Sequence, residues 1–565
     1  MADEATDGLV WRLEAVRFPE PVTRWSAALF TTMEPAVVAR VMEETGVLLD
    51  GVAAREFDGR VYMALVPLGG RARTTRWLVP VLRRVRPELR RRLAAAHAAD
   101  VADWSGHTVA EWKGGIETDL LERGRGFLAG DLAALTAHQV AARLEEQLRF
   151  VEECFIWRAR LHAAGVDAIG RLGLDLCRDH GWPVPEIMDL FVGLSGTATD
   201  PAVAQLAIVD LVRSEGAMPA LERAATLADL AATSPAVAGA LQGYQDLWGQ
   251  RAVRYEVAAP TVVDRPEWLL RQLKGAAGAA GDREDVAARH AATRTRAEAR
   301  LIATLGNSSL TRRRLARAQE VFPLREGNGA TTVGVPLAGL RRLGLHIGVR
   351  LGLYRPEDVF DLTFDEVLQV LRHPDHVSLD EGTDAARVSQ LAMARREERE
   401  RLATKEPPAL LGEGAGVDRT GLVPPDLRGF PRAAAEHLAA LTWYAEQEVA
   451  ALDSPRISEG VLQGIGVSPG AYEGTARIVL DEDDFELIQP GDVMVCPTTS
   501  PVWSVVFPSL GGLVCDAGGA MSHAAVIARE FCIPAVVATG GGTNTIADGA
   551  RVRVDGQSGQ VTQLS

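Results

Sequence analysis

The stretch "DAGGAMSHAAVIAREFCIPAVVATG", residues 516–540, places a histidine between a glycine-containing turn and a segment with helical apolar spacing. Gly518 allows a tight turn and a close approach of the backbone to another group. Ser522 is a typical N-cap residue, so the pattern predicts a helix over residues 522–530. His523 therefore lies in the first turn of the predicted helix.

A helix start is a favourable place for an anion, because its first N–H groups lack partners within the helix and carry the positive end of the macrodipole. A histidine that is largely neutral at cellular pH can also act as a nucleophile. His523 is thus a candidate phosphoryl carrier, and the candidate loop and helix start around it consist of Gly518, Gly519, Ser522 and Ala524.

Two other interpretations of His523 follow from its neighbours alone. A single histidine at a helix start is more often a cap or a surface side chain than a functional group. No second histidine, cysteine or carboxylate stands near it at the spacing of metal ligands, so we expect no metal site here. There is also no Gly-x-Ser-x-Gly motif that would make it the base of a hydrolase.

The composition indicates a multidomain globular protein. The chain has 565 residues, 47% hydrophobic and 24% charged. That length is enough for two to four domains, and both fractions are ordinary for globular proteins. The acidic N-terminus "MADEATDGLV" has no apolar signal region, and no apolar run approaches the length of a membrane span. Five cysteines without CxxC spacing are typical of a reducing compartment. We therefore expect a cytoplasmic protein.

The charge pattern argues against several kinds of partner. A formal net charge of −15 disfavours nucleic acids and anionic membranes, which need a positive field. The chain has only three lysines, and none lies in the Gly-Lys-Ser/Thr context of a P-loop. We therefore expect no bound cofactor in this chain. The lysines are Lys113, Lys274 and Lys405.

Three patterns of residue composition and apolar spacing follow one another along the chain. "EFDGRVYMALVP" (residues 56–67) alternates as a strand does, with a hairpin turn expected at Asp58 and Gly59. Helical spacing dominates most of residues 1–455, with a Pro/Gly-rich break at about 405–431. Residues 456–565 contain short β-branched runs separated by Gly, Pro and Asp. The predicted fold is a mainly α-helical domain followed by a small α/β domain.

The small domain resembles a known family. "GIGVSPGAYEGTARIV" (464–479), "GDVMVCPTTSPVWSVVF" (491–507), the opening stretch and "DGARVRVDGQSGQVTQL" (548–564) occur in the order found in the mobile phosphohistidine domain of PEP-utilising enzymes. The resemblance implies a swivelling domain whose histidine takes a phosphoryl group at an ATP-grasp site and carries it to a separate acceptor site. His523 is at the matching position.

The helical part is similar to the substrate-binding domain of the rifampin phosphotransferase family. The similar segments are "FPEPVTRWSAALF" (18–30), "FDGRVYM" (57–63), "RRRLARAQEVFPLREGNG" (312–329) and "YRPEDVFDLTFDEVLQVL" (354–371). That family places this domain before the histidine domain, whereas pyruvate phosphate dikinase places a PEP-binding barrel after it. The resemblance therefore implies a drug-like or metabolite small-molecule acceptor rather than PEP.

The family's acceptor-site pattern Arg-Glu-x-x-Lys stands here as Arg325-Glu326-Gly327-Asn328-Gly329, with glycine in place of lysine. Arg325 would steady the charge of the transferring phosphoryl group, and Glu326 would activate an acceptor hydroxyl as a general base. A salt bridge at a helix end is the alternative interpretation of this pair. The missing lysine leaves the acceptor open.

The family's ATP-grasp domain should precede the segment that begins near residue 10. We expect a separate ATP-grasp protein to bind ATP and Mg²⁺ and to charge His523, with a truncated chain as the alternative. Without that partner the chain is expected to be inactive.

The predicted function is relay of a phosphoryl group through His523 to a hydroxyl or similar oxygen of a small organic molecule, in antibiotic resistance or specialised metabolism. Two alternatives stay open. Phosphorylation could activate a carbonyl or carboxylate for condensation or dehydration, so that no phosphorylated product is released. The chain could also be a non-catalytic binding module that has kept the fold.

Overall fold

The computed structural model forms two compact units. Unit 1 comprises Met1–Ala164, Arg251–Thr261 and Gly329–Leu438, and unit 2 comprises Gly165–Gln250, Val262–Asn328 and Ala439–Ser565. The predicted domain boundary at residue 455 does not coincide with this division, and it stays a prediction. The structure describes residues 9–15, 17–67, 86–249, 255–278, 284–372, 384–412, 430–449, 456–458, 461–499 and 501–564.

Helices dominate the chain up to residue 449, and the sheet-rich segment follows them, as the sequence predicts. The α-helices of the described residues are Arg24–Ala28, Glu34–Thr45, Pro87–Val101, Trp104–Glu111, Glu117–Leu128, Ala137–His180, Val184–Met188, Gly196–Ser214, Met218–Arg223, Leu227–Ala231, Pro235–Tyr244, Pro266–Gly278, Glu284–Leu305, Ser309–Gly327, Val335–Arg350, Phe364–Arg372, Asp384–Ala403, Arg432–Val449, His523–Glu530 and Gly542–Thr545.

Shorter helical turns join several of these helices. Within the described ranges, five-residue π-helical turns occur at Leu29–Met33, Trp112–Ile116, Gln245–Gly249 and Ala330–Gly334. The 3₁₀ helices are Pro356–Asp361, Glu482–Leu487, Pro501–Val505 and Phe507–Ser509.

Unit 1 contains a four-stranded antiparallel sheet. Its strands are β1 (Trp11–Leu13), β2 (Leu49–Phe57), β3 (Arg60–Pro67) and β4 (Leu410–Leu411), in the order β2-β3-β1-β4. The predicted hairpin is confirmed, because Phe57 pairs with Arg60 across a two-residue turn. In that turn φ is 47° at Asp58 and 74° at Gly59. A type I′ turn requires positive φ at both central residues.

Aromatic side chains and arginine–carboxylate pairs hold unit 1 together. Trp25 is fully buried, and its ring centroid lies 5.2 Å from that of Phe360. Three arginines of helix Asp384–Ala403 bind carboxylates of the 3₁₀ helix Pro356–Asp361 and of helix Phe364–Arg372. The pairs are Arg395–Glu366, Arg396–Asp358 and Arg399–Asp361.

Unit 2 contains a nine-stranded sheet in the order β5-β6-β13-β12-β8-β9-β10-β11-β7. Strands β8 to β11 run parallel, and the other pairings are antiparallel. The strands are β5 (Arg456–Ser458), β6 (Val461–Gln463), β7 (Ile465–Ser468), β8 (Ala471–Ile478), β9 (Val493–Cys496), β10 (Gly512–Cys515), β11 (Ala535–Val537), β12 (Arg551–Asp555) and β13 (Gln560–Gln563).

Both faces of the central strands are buried, which accounts for their unbroken apolar runs. On β9, Met494 and Cys496 pack in one hydrophobic cluster with Ile527 of helix His523–Glu530. Val493 and Val495 pack in a second cluster on the other face. Helix His523–Glu530 therefore packs against the sheet with its apolar side.

In the part of the chain that the structure describes, no helix is long and apolar enough to cross a membrane.

Candidate functional site

His523 is the first residue of helix His523–Glu530, which we call the histidine helix. The helix follows β10 and a seven-residue loop, residues 516–522, which we call the histidine loop. The predicted N-cap is confirmed, because Ser522 Oγ accepts a hydrogen bond from the backbone N–H of Ala525 at 3.4 Å. Gly518 has φ of 104°, and a Cβ placed there would lie 2.8 Å from Ser522 Oγ. Glycine at this position therefore leaves room for the cap.

Three contacts outside the cap hold the last residues of the histidine loop. Arg529 Nη1 donates to the carbonyl oxygen of Ala520 at 3.0 Å. The backbone N–H of Met521 donates to the carbonyl oxygen of Gln447 at 3.2 Å. Arg325 Nη2 donates to the carbonyl oxygen of Met521 at 3.4 Å. The loop is thus held from the histidine helix and from two further helices of unit 2.

Arg529 is a buried cation, 5% exposed. Burial lowers its pKa to about 10, while the charges of Asp189 and Glu530 oppose that shift. An arginine with this pKa still carries its charge at neutral pH. Arg529 therefore keeps a fixed positive charge beneath the histidine loop.

The start of the histidine loop is held by Asp516, which follows the carboxyl end of β10. Its carboxylate accepts hydrogen bonds from Thr539 Oγ1 at 3.0 Å, from the backbone N–H of Thr543 at 3.3 Å and from the Thr543 hydroxyl. Thr539 follows β11, the next parallel strand. The loop is therefore fixed at the edge where parallel strands end, which is where open α/β sheets place their ligands.

Arg325 is the predicted site residue that the structure brings to the histidine loop. It lies near the end of helix Ser309–Gly327, and its guanidinium carbon lies 5.0 Å from the ring centroid of Tyr444. Gly165 packs beside its side chain, because a Cβ at Gly165 would lie 3.5 Å from Arg325 Cδ. This packing fixes the guanidinium next to the carbonyl two residues before His523.

Glu326 belongs to the same helix, but its side chain lies outside the described residues. Its assignment as a general base therefore stays a prediction. The same holds for the role of Arg325 in phosphoryl transfer, although the position of Arg325 is now known.

His523 itself is partly exposed as a residue, yet both ring nitrogens are shielded from solvent in this structure. Any group that reacts with one of these nitrogens therefore has to pass the contacts that enclose the ring.

Sequence reasoning missed Arg529, Asp516 and Tyr444. Arg529 stands six residues after His523 and directly follows the apolar run 524–528, so its position at the end of that run was a signal in the sequence. Tyr444 gave no local signal, since it is one of several apolar positions of helix Arg432–Val449. Within the described ranges, no group of three or more His, Cys, Asp or Glu side chains could hold a metal ion.

Two segments of the chain match described families. Residues 488–559 match the PEP-utilising enzyme mobile domain. Residues 181–326 match the rifampicin phosphotransferase fourth domain. The first segment contains the histidine loop and helix, and the second contains Arg325 and Glu326.

Several curated proteins match this chain over a part of their own length. A rifampicin phosphotransferase of a Streptomyces species is 46% identical over 109 residues, 19% of this chain and 12% of that protein. An uncharacterised phosphotransferase, YvkC, of Bacillus subtilis is 40% identical over 122 residues, 21% of this chain and 15% of that protein.

A chondramide synthase, cmdD, of Chondromyces crocatus is 33% identical over 232 residues, 40% of this chain but 5% of that protein. The matched parts of this chain thus span no more than 15% of the length of these three relatives.

Proposed function

We propose that this chain, which is rifampicin phosphotransferase-like in its fourth-domain segment and carries a PEP-utilising mobile domain, relays a phosphoryl group through His523 to a small organic molecule. The acceptor atom is a hydroxyl or similar oxygen. The observation that carries the proposal is the placement of His523 at the start of a capped helix, with Arg325 bound to the loop just before it.

The chemistry follows from the helix start. A neutral imidazole nitrogen of His523 attacks the phosphorus, and the N–P bond forms as the bond to the donor oxygen breaks. The N–H groups of the first helical turn and the positive end of the helix dipole favour the negative phosphoryl oxygens. The guanidinium of Arg325 adds positive charge on the side of the histidine loop.

We further propose that the phosphoryl group comes from ATP bound with Mg²⁺ on a separate ATP-grasp protein. The shielded ring nitrogens of His523 support a moving histidine domain, because a fixed one would keep the donor out. We place the hinge of this movement around residues 453–463, of which the structure describes 456–458 and 461–463 as strands β5 and β6 of the nine-stranded sheet.

The relay is tested by incubating the chain with labelled ATP and a cognate ATP-grasp protein. We expect label that is stable in base and labile in acid to appear on a peptide containing His523, and none on His523→Ala. Phosphorylation of His523 without the ATP-grasp protein is tested with phosphoramidate, a small donor that phosphorylates histidine chemically. If the wild-type chain takes no such label from either donor, the proposal is wrong.

The match to a chondramide synthase favours a second candidate function. In it, the relay activates a carbonyl or carboxylate oxygen for condensation or dehydration in natural-product biosynthesis. Mass analysis of the products separates the two candidates. A stable phosphoester supports phosphorylation of a hydroxyl, whereas free phosphate together with a condensed or dehydrated product supports activation.

A further inference from the structure

A cysteine, a histidine and a glutamate meet in unit 2 at a place that the proposed relay does not use. Cys532 follows the histidine helix, and its Sγ lies 3.5 Å from Nε2 of His290 on helix Glu284–Leu305. Nδ1 of His290 lies 3.9 Å from Oε2 of Glu530. The imidazole therefore stands between a thiol and a carboxyl group, each facing a different ring nitrogen.

This arrangement differs from a metal site. Metal ligands converge on one point, but Cys532 and Glu530 lie at opposite nitrogens of the ring. The order thiol, imidazole, carboxyl is instead the order of a nucleophile, its partner and the group that orients the partner. The geometry therefore indicates thiol chemistry.

The tautomer of His290 is set by a backbone group. The carbonyl oxygen of Arg529 lies 3.2 Å from Nε2 of His290. A carbonyl oxygen can only accept a hydrogen bond, so Nε2 carries the hydrogen. Cys532 Sγ lies 3.5 Å from the same nitrogen, so the single Nε2 hydrogen is shared between the carbonyl oxygen and the sulfur. A hydrogen-bond donor at the sulfur favours the thiolate over the thiol.

Glu530 is held in place by other groups. Its Oε1 accepts a hydrogen bond from the backbone N–H of Gly193 at 3.0 Å. Burial raises the pKa of Glu530, while the charge of His290 and hydrogen bonds from Ser195 and Gly193 oppose that shift. Glu530 thus stands 3.9 Å from Nδ1, the ring nitrogen that does not face the sulfur.

Other charged groups surround this cluster. The charges of the buried Arg529 and the half-buried Asp189 interact beside it, and Arg294 binds the carbonyl oxygen of Val192 at 2.6 Å. The negative end of the histidine helix opposes a thiolate at Cys532, but this effect is weaker than a charge-assisted hydrogen bond.

The other cysteines of the chain lie in different surroundings. Cys496 and Cys515 are fully buried with their sulfurs 3.2 Å apart, and burial raises the pKa of Cys496. Burial also raises the pKa of Cys154. Cys177 is partly exposed, as Cys532 is, and it serves as the comparison within the same molecule.

We propose that Cys532 and His290 form an activated thiol site that reacts with small electrophiles, hydrogen peroxide in particular. The thiolate sulfur attacks one peroxide oxygen, the S–O bond forms and the O–O bond breaks. The hydroxide that leaves combines with the proton that the thiol had lost, so the products are a sulfenic acid and water. The sulfur is oxidised by two electrons and the peroxide is reduced.

The site is tested by measuring alkylation by iodoacetamide peptide by peptide with mass spectrometry. At pH 7 we expect Cys532 to react at least about tenfold faster than Cys177, because an ordinary thiol with a pKa of about 8.5 is then mostly protonated. At pH 9.5 the ratio should fall towards one, because an ordinary thiol is then mostly ionised as well. Hydrogen peroxide followed by dimedone should add the dimedone mass to Cys532 before any other cysteine.

His290→Phe removes the donor and should bring the ratio at pH 7 close to one. His97→Phe, the same change at an exposed histidine of unit 1, should leave it unchanged. A wild-type ratio near one at pH 7, or an unaltered ratio in a folded His290→Phe, overturns the proposal. If His290→Phe does not fold, the pH dependence of the ratio of alkylation rates of Cys532 and Cys177 in the wild type still tests the proposal. This labelling needs no phosphoryl donor, so its outcome is independent of the proposed relay.

Discussion

Two sets of arginines, one in each unit, bind different partners. In unit 1, Arg395, Arg396 and Arg399 bind carboxylates with paired hydrogen bonds. In unit 2, Arg325 and Arg529 donate to backbone carbonyl oxygens of the histidine loop. A carboxylate neutralises the charge of the arginine that it binds, and these pairs hold two helical segments together. A carbonyl oxygen leaves the positive charge of the arginine in place, and these hydrogen bonds hold the histidine loop. The first set is therefore expected to govern stability, and the second to govern the histidine site.

The largest expected effect on stability comes from breaking one pair of the first set. Asp358 is 2% exposed and accepts two hydrogen bonds from Arg396. Asp358→Asn should lower the free energy of unfolding by about 3 kcal/mol, because it removes the buried charge that accepts two hydrogen bonds from Arg396 and leaves Arg396 only its 3.6 Å contact with Glu400. Chemical denaturation measures this loss.

An exposed ion pair provides the control for the claim that the first set of arginines governs stability. Asp119, a partner of Arg123, has a side chain that is 56% exposed. Asp119→Asn should therefore cost less than about 0.5 kcal/mol, as is usual for an exposed ion pair. Equal losses in the two variants would contradict the assignment. Slower labelling of His523 by phosphoramidate in a folded Asp358→Asn would contradict it as well.

The second prediction concerns Arg325. Arg325→Ala should slow phosphorylation of His523 by roughly 10²-fold, because it removes a preorganised donor and positive charge at the histidine loop. Arg325→Lys keeps the charge but not the planar contact with Tyr444, so an intermediate rate is expected. The initial rate of labelling measures both variants.

Arg312→Ala is the matched control, because Arg312 is an exposed arginine of the same helix. Its labelling rate should equal that of the wild type. If Arg325→Ala also labels at the wild-type rate, Arg325 only packs the helix and the comparison between the two sets of arginines fails.

The third prediction concerns the glycine that makes room for the cap. At Gly518 φ is 104°, and a new methyl group would meet Ser522 Oγ. Gly518→Ala should therefore lower the free energy of unfolding by about 1–2 kcal/mol. Gly549→Ala is the control, with φ of 80° and open space around the new methyl group. Both changes should destabilise, but only Gly518→Ala should slow labelling of His523. Equal labelling in the two variants would show that the cap does not position the histidine.

The smallest expected effect is a pH dependence in unit 1. Hydrogen bonds from Arg395 lower the pKa of Glu366 from 4.5 to about 2, with a smaller contribution from Thr363. Because the pKa is lower in the folded state, the ion pair stabilises the protein above pH 4.5, and this contribution is lost as pH falls towards 2. The stability difference between wild type and Glu366→Gln should therefore shrink between pH 6 and pH 3.

Denaturation midpoints of the two proteins at several pH values measure this difference. Glu357→Gln, at an exposed glutamate of the neighbouring 3₁₀ helix, is the control and should show no such trend. A constant difference for Glu366→Gln down to pH 3 would contradict the assignment.

The parts of the structure that follow from local rules were predictable from the sequence. The hairpin at Asp58 and Gly59 depends on residues that tolerate positive φ, and the cap at Ser522 depends on one hydroxyl near one N–H group. The position of His523 at a helix start needed nothing beyond its neighbours. These features were predicted and are confirmed.

The contacts that complete the candidate site were not predictable, because they join distant parts of the chain. Arg325 reaches the carbonyl of Met521 across 196 residues, and Tyr444 supports it from a third helix. The grouping of residues 165–250 and 262–328 with the sheet in one compact unit is likewise a result of tertiary packing. Periodicity and caps carry no information about such partners.

The central claim is that His523 carries a phosphoryl group, and phosphoramidate labelling of the wild-type chain beside His523→Ala tests it most directly. We predict that the wild-type peptide that contains His523 acquires a phosphoryl group that is labile in acid and stable in base. His523→Ala should lack it, while His97→Ala, a change at an exposed histidine, should retain it. Label that persists on the same peptide of His523→Ala, or a wild-type peptide that stays unlabelled, would contradict the account.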